Sequence, residues 1–524
     1  MDLEIYDATL REGEQAAGAN FNLQDRLELF EKLDDFGVDY VEVGWPVASP
    51  EILQAFKELK GKNKNSKIVA FGSTSISEKV EEDKNLNSIL EAEVEYACIF
   101  GKTWGNHVRE QLKISKEENL ERIRKSVRFL REKGICVFYD AEHYFDGYKE
   151  DKDYALETLV SAVEGGATRL ILCDTNGGVL PDEAVKIVKE TKEKLKERGI
   201  NVGLGVHFHG DSGLALANTI ACLDDIIQVQ GTINGIGERI GNLDFSNFLP
   251  VYNLKLGKEV KVDLENLKKV HDEAYRLAGI DIPENKPFVG EMAFAHKGGI
   301  HIDATNKGAS YEHINPKRVG NERKILLNSL GGRGVVVSVA EGFGYNLNKK
   351  DPVVIEKIER LFRELRESEA RGYNIGNIRA EQFLLIEKYF GNLNDFFKIE
   401  KWETTSYRDS VGEISGFEIR CKINGDIIQE KVAVHGGPVD AAYKAMIKIL
   451  SKKYPEVNGL KLTDFHVRIA KPNGAESSVR TKIDFSDGEV FSTVGVDENI
   501  IQSSVEALEK GFRYYLNRKL NKLG

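Results

Sequence analysis

The chain has 524 residues, and its 73 Lys and Arg against 84 Asp and Glu leave a net charge of −11. At roughly 100–200 residues per domain this length implies two to four folded units, and the acidic balance excludes a nucleic-acid protein that works through a general positive field. Hydrophobic residues at 41% and charged residues at 30% fit a globular chain with ample core material. No apolar run approaches the roughly 18–20 residues of a membrane helix. The acidic start, Met1 to Asp7, lacks the basic n-region of a signal peptide. Cys98, Cys136, Cys173, Cys222 and Cys421 are odd in number, widely spaced and without a CxxC pair. They argue against a disulfide framework or a cysteine zinc cluster, and for a reducing, cytoplasmic setting.

The first half repeats one rhythm: a short apolar run, a polar turn, then an amphipathic stretch. The runs fall at residues 3–6, 40–43, 68–71, 96–100, 137–139, 170–173, 203–206 and 230–233, about one per strand-plus-helix unit. Residues 25–36 and 119–133 carry apolar positions at helical spacing, such as Leu29, Phe30 and Leu33. Eight such units predict an α/β fold with a TIM (β/α)8 barrel over residues 1–285. An open doubly wound sheet would place a Gly-rich phosphate turn after the first strand, where this chain has Asp7-Ala8-Thr9-Leu10-Arg11-Glu12. Residues 286–395 break the rhythm with a Gly-rich segment and two helical stretches, 352–369 and 381–389, and read as linker subdomains. From about 396 to 524, strands at 417–423, 427–434, 464–470 and 478–484 interleave with helices at 438–450 and 500–516, the pattern of a separate α+β domain.

In a barrel the working groups follow the strands, and polar residues recur there: Arg11 and Glu12, Glu142, Thr175, His207 and His209, Asn242. His207 and His209 stand at i and i+2 on a strand, so both imidazoles face one way. With Glu12 they form a set suited to a catalytic divalent metal that keeps open positions. Two structural histidines are the alternative. Asn242 offers an amide oxygen, or is a turn residue. Arg11 is placed to hold a developing oxyanion or to close the barrel mouth in an ion pair. Glu142 sits where a general acid or base belongs, or orients another group. Thr175 is a hydroxyl donor for a carboxylate, or a helix cap.

Asp7-Ala8-Thr9-Leu10-Arg11-Glu12-Gly13, the His207/His209 pair and Asn234-Gly235-Ile236-Gly237-Glu238-Arg239-Ile240-Gly241-Asn242 resemble signatures of the 2-isopropylmalate, homocitrate and citramalate synthases. Val43-Gly44-Trp45-Pro46, Gly101-Lys102-Thr103-Trp104 and Asp140-Ala141-Glu142-His143-Tyr144 are similar to the long-form citramalate branch. The resemblance implies a metal-dependent barrel, a linker and a C-terminal allosteric domain. It also implies a Claisen condensation of acetyl-CoA with a 2-oxo acid, pyruvate in that branch, on a divalent cation (Mn, Mg, Zn or Co). By this match Glu12, His207 and His209 bind metal with Asn242 nearby, Arg11 meets the oxo group, Thr175 holds the substrate carboxylate, and Glu142 is the acid/base carboxylate. His301 and Tyr311 match linker residues that reach a neighbouring subunit's site, which implies a homodimer. Val434 to Ala441 and Thr493 to Ile501 match allosteric signatures, with isoleucine as the implied effector and backbone near Gly436 and Gly495 as its expected contacts. Glu12 departs from the Asp usual in this branch and is homocitrate-synthase-like. Trp45 and Trp104, if they line the mouth, shrink the pocket toward pyruvate.

Overall fold

The computed structural model describes residues 3–77, 79–297, 311–408, 412–471 and 477–520. They fall into two compact units. The first is Met1–Phe294 with Ile314–Glu322, and the second is Ala295–His313 with Arg323–Gly524.

The first unit is a closed eight-stranded parallel barrel in sequence order. Its strands are β1 (Glu4–Asp7), β2 (Tyr40–Gly44), β3 (Lys67–Ser73), β4 (Tyr96–Lys102), β5 (Cys136–Glu142), β6 (Arg169–Asp174), β7 (Gly203–Phe208) and β8 (Gln228–Gly231). β1 closes the ring against β8, with Tyr6 opposite Gln230. Seven of the apolar runs read from the sequence lie on a strand over all or all but one of their residues, while the eighth, 230–233, overlaps β8 only at Gln230 and Gly231. Several strands run further into the polar residues beyond the run, and it is those extensions that carry the mouth. The outer helices include α1 (Leu23–Phe36), α2 (Pro50–Leu59), α3 (Lys84–Glu91), α4 (Lys116–Glu132), α5 (Lys152–Gly165), α6 (Pro181–Glu197), α7 (Ala215–Cys222) and, after β8, α8 (Leu267–Ala278). α1 shows why they start and stop where they do. Asn22 and Asp25 form a reciprocal capping box, and Gly37 ends the helix at φ 94°, a left-handed conformation that favours glycine.

Strand parity sorts the interior into layers. Glu4, Arg169 and Gln228 close the bottom, with Arg169 clasping Glu4 at 2.7 and 3.0 Å. Tyr6, Tyr40, Val69, Cys98 and Phe138 fill the middle. Above them the inward positions turn polar.

The second unit contains α9 (Arg333–Glu341), α10 (Pro352–Arg371) and α11 (Arg379–Phe390). Two antiparallel three-stranded sheets follow. One orders β9 (Phe397–Arg408), β10 (Glu413–Ile423) and β11 (Asp426–Val434), with α12 (Pro438–Leu450) packed on β10 and β11. The other orders β12 (Lys461–Lys471), β13 (Ser478–Ser486) and β14 (Val490–Asp497), with α13 (Ile500–Leu520) on β13 and β14. The sequence reading did not anticipate β9 or β14. A register shift between Ile399 and Lys401 breaks the period-two pattern of β9. β14 has mostly buried side chains, so it shows no alternation. Glu381 of α11 and Glu506 of α13 cap the outer edge of β14 by accepting the Val494 and Val496 amides at 2.8 and 3.1 Å. Lys510 donates to the Val494 carbonyl at 2.7 Å.

One buried side chain ties the turn after β1 to the barrel wall. Arg26 of α1 is 2% exposed and donates to the Leu10 and Val43 carbonyls at 2.6 and 2.7 Å and to Glu14 at 2.8 Å. Arg26→Met leaves two buried carbonyls without donors, at roughly 1–3 kcal/mol each. We expect the urea midpoint of the barrel transition to fall by the equivalent of about 3 kcal/mol. An unchanged midpoint would show that the clamp contributes nothing.

Candidate active site

The turn after β1 is built by its own side chains. Asp7 accepts the Thr9 amide and hydroxyl, both at 2.9 Å, and the Thr9 hydroxyl in turn accepts the Ile233 amide of the loop after β8 at 2.8 Å. Burial pushes the Asp7 carboxyl up to about 7 against these stabilising bonds. The turn delivers Arg11 and Glu12, 9% and 3% exposed, to the barrel mouth. The Arg11 guanidinium is paired with Glu12 and with Glu42 of β2, and it lies 3.8 Å over the Phe71 ring of β3. Although burial opposes its charge, Glu42 and Asp140 hold the guanidinium above its ordinary range.

His207 is the penultimate residue of β7 and His209 follows the strand, both 5% exposed. Glu12, His207 and His209 each bring a ligating atom within 4.8 Å of the others, and no other group of three such ligands converges among the described residues. The loop after β8 folds back to complete the cluster. Asn242 pairs with His209 as an isolated antiparallel bridge, and its amide donates to the Gly235 carbonyl at 3.0 Å. The glycines of this loop are steric necessities. Gly241 sits at φ 98°, and a Cβ there would lie 1.9 Å from the Gly235 carbonyl oxygen. The fold thereby sets the Asn242 side chain next to the histidines. Among the described residues, His209 Nδ1 and both amide atoms of Asn242 are buried without a hydrogen-bond partner. Buried polar atoms left unsatisfied are rare in native proteins, and here they border two imidazoles and a carboxylate. This donor set fits a divalent cation.

Burial, with the nearby Arg11 charge, lowers His207 to about 4. Burial and the neighbouring His207 and Arg239 charges lower His209 to about 2. Both rings are therefore neutral, the form that ligates metal.

Glu142 at the end of β5 pairs with Lys102 of β4 at 2.5 Å. Thr175, just past β6, accepts the His143 amide on its hydroxyl at 2.9 Å, which leaves the hydroxyl proton free to be donated. His143 itself is left-handed at φ 56°. Arg239 straps the rim, donating to both Asp211 oxygens and to the Thr175 carbonyl at 2.8 Å. Trp45 packs edge-on against Phe71 and Phe100, whose rings stack 5.5 Å apart. Trp104 instead lies against His107 and His143. The structure thus brings together Arg11, Glu12, His207, His209 and Asn242. Glu142 ends β5 and Thr175 follows the adjacent strand β6. Tyr311 lies in the second unit, 50% exposed, and His301 lies outside the described residues.

Sequence reasoning missed Glu42, Asp140, Gln230 and Phe71. All but Phe71 are polar groups at inward positions of buried strands. Their signal was parity: each stands two residues beyond an inward core residue (Tyr40, Phe138 and Gln228).

The closed barrel that carries this carboxylate and these two imidazoles belongs to the HMGL-like family, which matches residues 2–273. Residues 288–369 match the homocitrate synthase post-HMGL domain-like family, and residues 378–516 match the LeuA allosteric (dimerisation) domain. The (R)-citramalate synthase of Aquifex aeolicus is 42% identical over 98% of this chain and 97% of its own length. Those of Sulfolobus acidocaldarius and Geobacter sulfurreducens are 40% and 39% identical, each over 98% of this chain and 97% and 98% of their own. The chain belongs to the (R)-citramalate synthase family, and it is an acyltransferase-type synthase. No helix among the described residues is long and apolar enough to cross a membrane.

The depressed histidines make a pH prediction. Two imidazoles at the ordinary value of about 6.5 would lose roughly 100-fold in apparent metal affinity between pH 7.5 and 5.5, through proton competition. With both rings held neutral far below that window, the Mn2+ dissociation constant is expected to change by less than about 3-fold. A steep loss near pH 6.5 would show that the rings titrate normally.

Proposed function

We propose that the protein condenses acetyl-CoA with pyruvate and hydrolyses the product to (R)-citramalate and CoA. The observation that carries this reading is the buried Glu12/His207/His209 set with the Arg11 guanidinium beside it, in a chain that aligns end to end with synthases of that name. Glu12, His207 and His209 would hold the divalent cation, with Asn242 as a further oxygen donor. When bound, the cation supplies Lewis acidity toward the 2-oxo group and a template that orients the 2-oxo acid.

The remaining steps belong to the chain's own residues. Glu142, oriented by Lys102, takes a proton from the acetyl methyl group. The enolate carbon attacks the ketone carbon of pyruvate. Arg11, clamped by Glu42 and stacked on Phe71, needs no reorganisation to meet the alkoxide that develops. The Thr175 hydroxyl donates to the substrate carboxylate. The thioester is then hydrolysed, which releases CoA. His301 and Tyr311 are proposed to complete the site of a partner subunit in a homodimer, and isoleucine is proposed as the effector of the C-terminal domain.

Pyruvate is favoured over larger 2-oxo acids by two features. The packed Trp45, Phe71 and Phe100 rings form an apolar wall beside Arg11 that offers no partner to a distal polar group. Lys102, the cation a distal carboxylate of 2-oxoglutarate would need, is already committed to Glu142. Homocitrate synthesis, which Glu12 suggests, and 2-isopropylmalate synthesis from 2-oxoisovalerate are the alternatives.

Thiol-reagent detection of released CoA tests the reading, with pyruvate, 2-oxoisovalerate and 2-oxoglutarate offered separately with added Mn2+. Pyruvate is expected to exceed the others at least about 10-fold in kcat/KM, the value of one confined apolar contact. A preference for 2-oxoglutarate would overturn it. Glu142→Gln is expected to lower kcat by about 10²–10⁴-fold, the usual contribution of a positioned acid or base, with Mn2+ affinity retained. Isoleucine is expected to inhibit turnover of the full chain, while norvaline at equal concentration does so less. Equal response to both would remove isoleucine as the specific effector.

A further inference from the structure

Beneath the metal-ligand set lies a buried chain of polar groups to which the reaction gives no role. His207 Nδ1 is 2.8 Å from Gln230 Oε1, and Gln230 Nε2 is 3.1 Å from Asp140 Oδ1. The three residues sit on β7, β8 and β5 and are 5%, 1% and 4% exposed. The Cys98 thiol of β4 borders the far end, 3.9 Å from Gln230 Nε2 and beside Asp140.

Each link restricts the next. Burial and the Glu42 charge push the Asp140 carboxyl up to about 7, so at pH 8 it is mainly ionised and only accepts hydrogen bonds. It takes the amide NH2 of Gln230 at 3.1 Å and fixes which way that amide points. The Gln230 oxygen is then turned to His207, and an oxygen there requires the proton on Nδ1. His207 is left with its lone pair on Nε2, the nitrogen available to a cation. A flipped amide would present N–H to Nδ1, move the ring proton to Nε2 and remove the ligand. We infer that Gln230, oriented by Asp140, is a positioning residue that selects the metal-binding tautomer of His207. Partners that orient ligating histidines in this way typically contribute 10–100-fold to metal affinity, and here an amide is inserted between the carboxylate and the ring. The inference rests on the metal-centre reading, and it is independent of which 2-oxo acid the enzyme takes.

The test is Mn2+ binding to the metal-free full-length protein at pH 8, followed by the electron paramagnetic resonance signal of free Mn2+. Thermal unfolding is recorded in parallel. Gln230→Met, equal in length but without donors or acceptors, is expected to weaken the dissociation constant 10–100-fold. Asp140→Asn does not touch His207 and is nearly isosteric, so it keeps the fold. It also lets the Gln230 amide flip, and it is expected to cost about 10-fold. Gln230→Glu again offers His207 an oxygen and shares one proton with Asp140, as close carboxyls do. It is expected to return to within about 3-fold of the parent. Parent-like affinity in both Gln230→Met and Asp140→Asn overturns the inference, as does a Gln230→Glu variant that binds no better than Gln230→Met. Absence of Mn2+ binding by the parent protein itself would overturn the metal-centre reading, and this inference with it. A role confined to packing would move the unfolding temperature and leave the affinity order unchanged.

Discussion

A guanidinium enclosed by a barrel must be neutralised where it stands, because an unpaired buried charge costs several kcal/mol. Arg11 meets this constraint with two carboxylates, Glu12 on its own turn and Glu42 from the next strand, and with the face of Phe71. Much of the mouth follows from that arrangement. Glu42 is held in turn by the Tyr6 hydroxyl from the layer below. The Arg11 charge works with burial to keep His207 and His209 neutral. The same ion that would hold an oxyanion therefore keeps the neighbouring imidazoles in their ligating form. The site is an electrostatic unit, and no member of it can be exchanged without altering the others.

The barrel was legible because a parallel sheet covered by helices writes itself as apolar runs at regular intervals, and each run meets one strand, the eighth offset by two residues. The residues past the ends of those runs were legible for the same reason, since the chemistry of a barrel collects there. Glu42, Asp140 and Gln230 were harder. A carboxylate inside Tyr40-Val41-Glu42-Val43-Gly44 looks like the polar interruption of a strand until its neighbour Arg11 is known. That neighbour lies 31 positions away in sequence, so only the closed ring joins them. Asp140 and Gln230 are similarly joined across 90 positions. Local pattern identifies which face a residue is on, but the partner on that face is a property of topology.

The second unit was less legible for a different reason. Its strands carry irregularities that erase the period on which strand assignment depends. β9 slips register near Lys401, and β14 is buried on both faces. Gly495 in β14 belongs to close packing, since a Cβ there would fall 1.9 Å from the Ser503 carbonyl oxygen of α13. α11, which precedes the sheets, contributes Ala380 to their core and Glu381 to the edge of β14.

That edge has a consequence for how the protein survives at high concentration. An open strand end-on in a sheet offers unpaired amides to any other strand, the usual route to intermolecular sheet growth. On β14 the amides of Val494 and Val496 are already occupied by side-chain carboxylates, and Lys510 covers the carbonyl between them. A foreign strand would have to displace a buried glutamate before it could pair with Val494 or Val496. The two glutamates and the lysine thus guard this stretch of the edge against pairing with a foreign strand, a protection set by side chains.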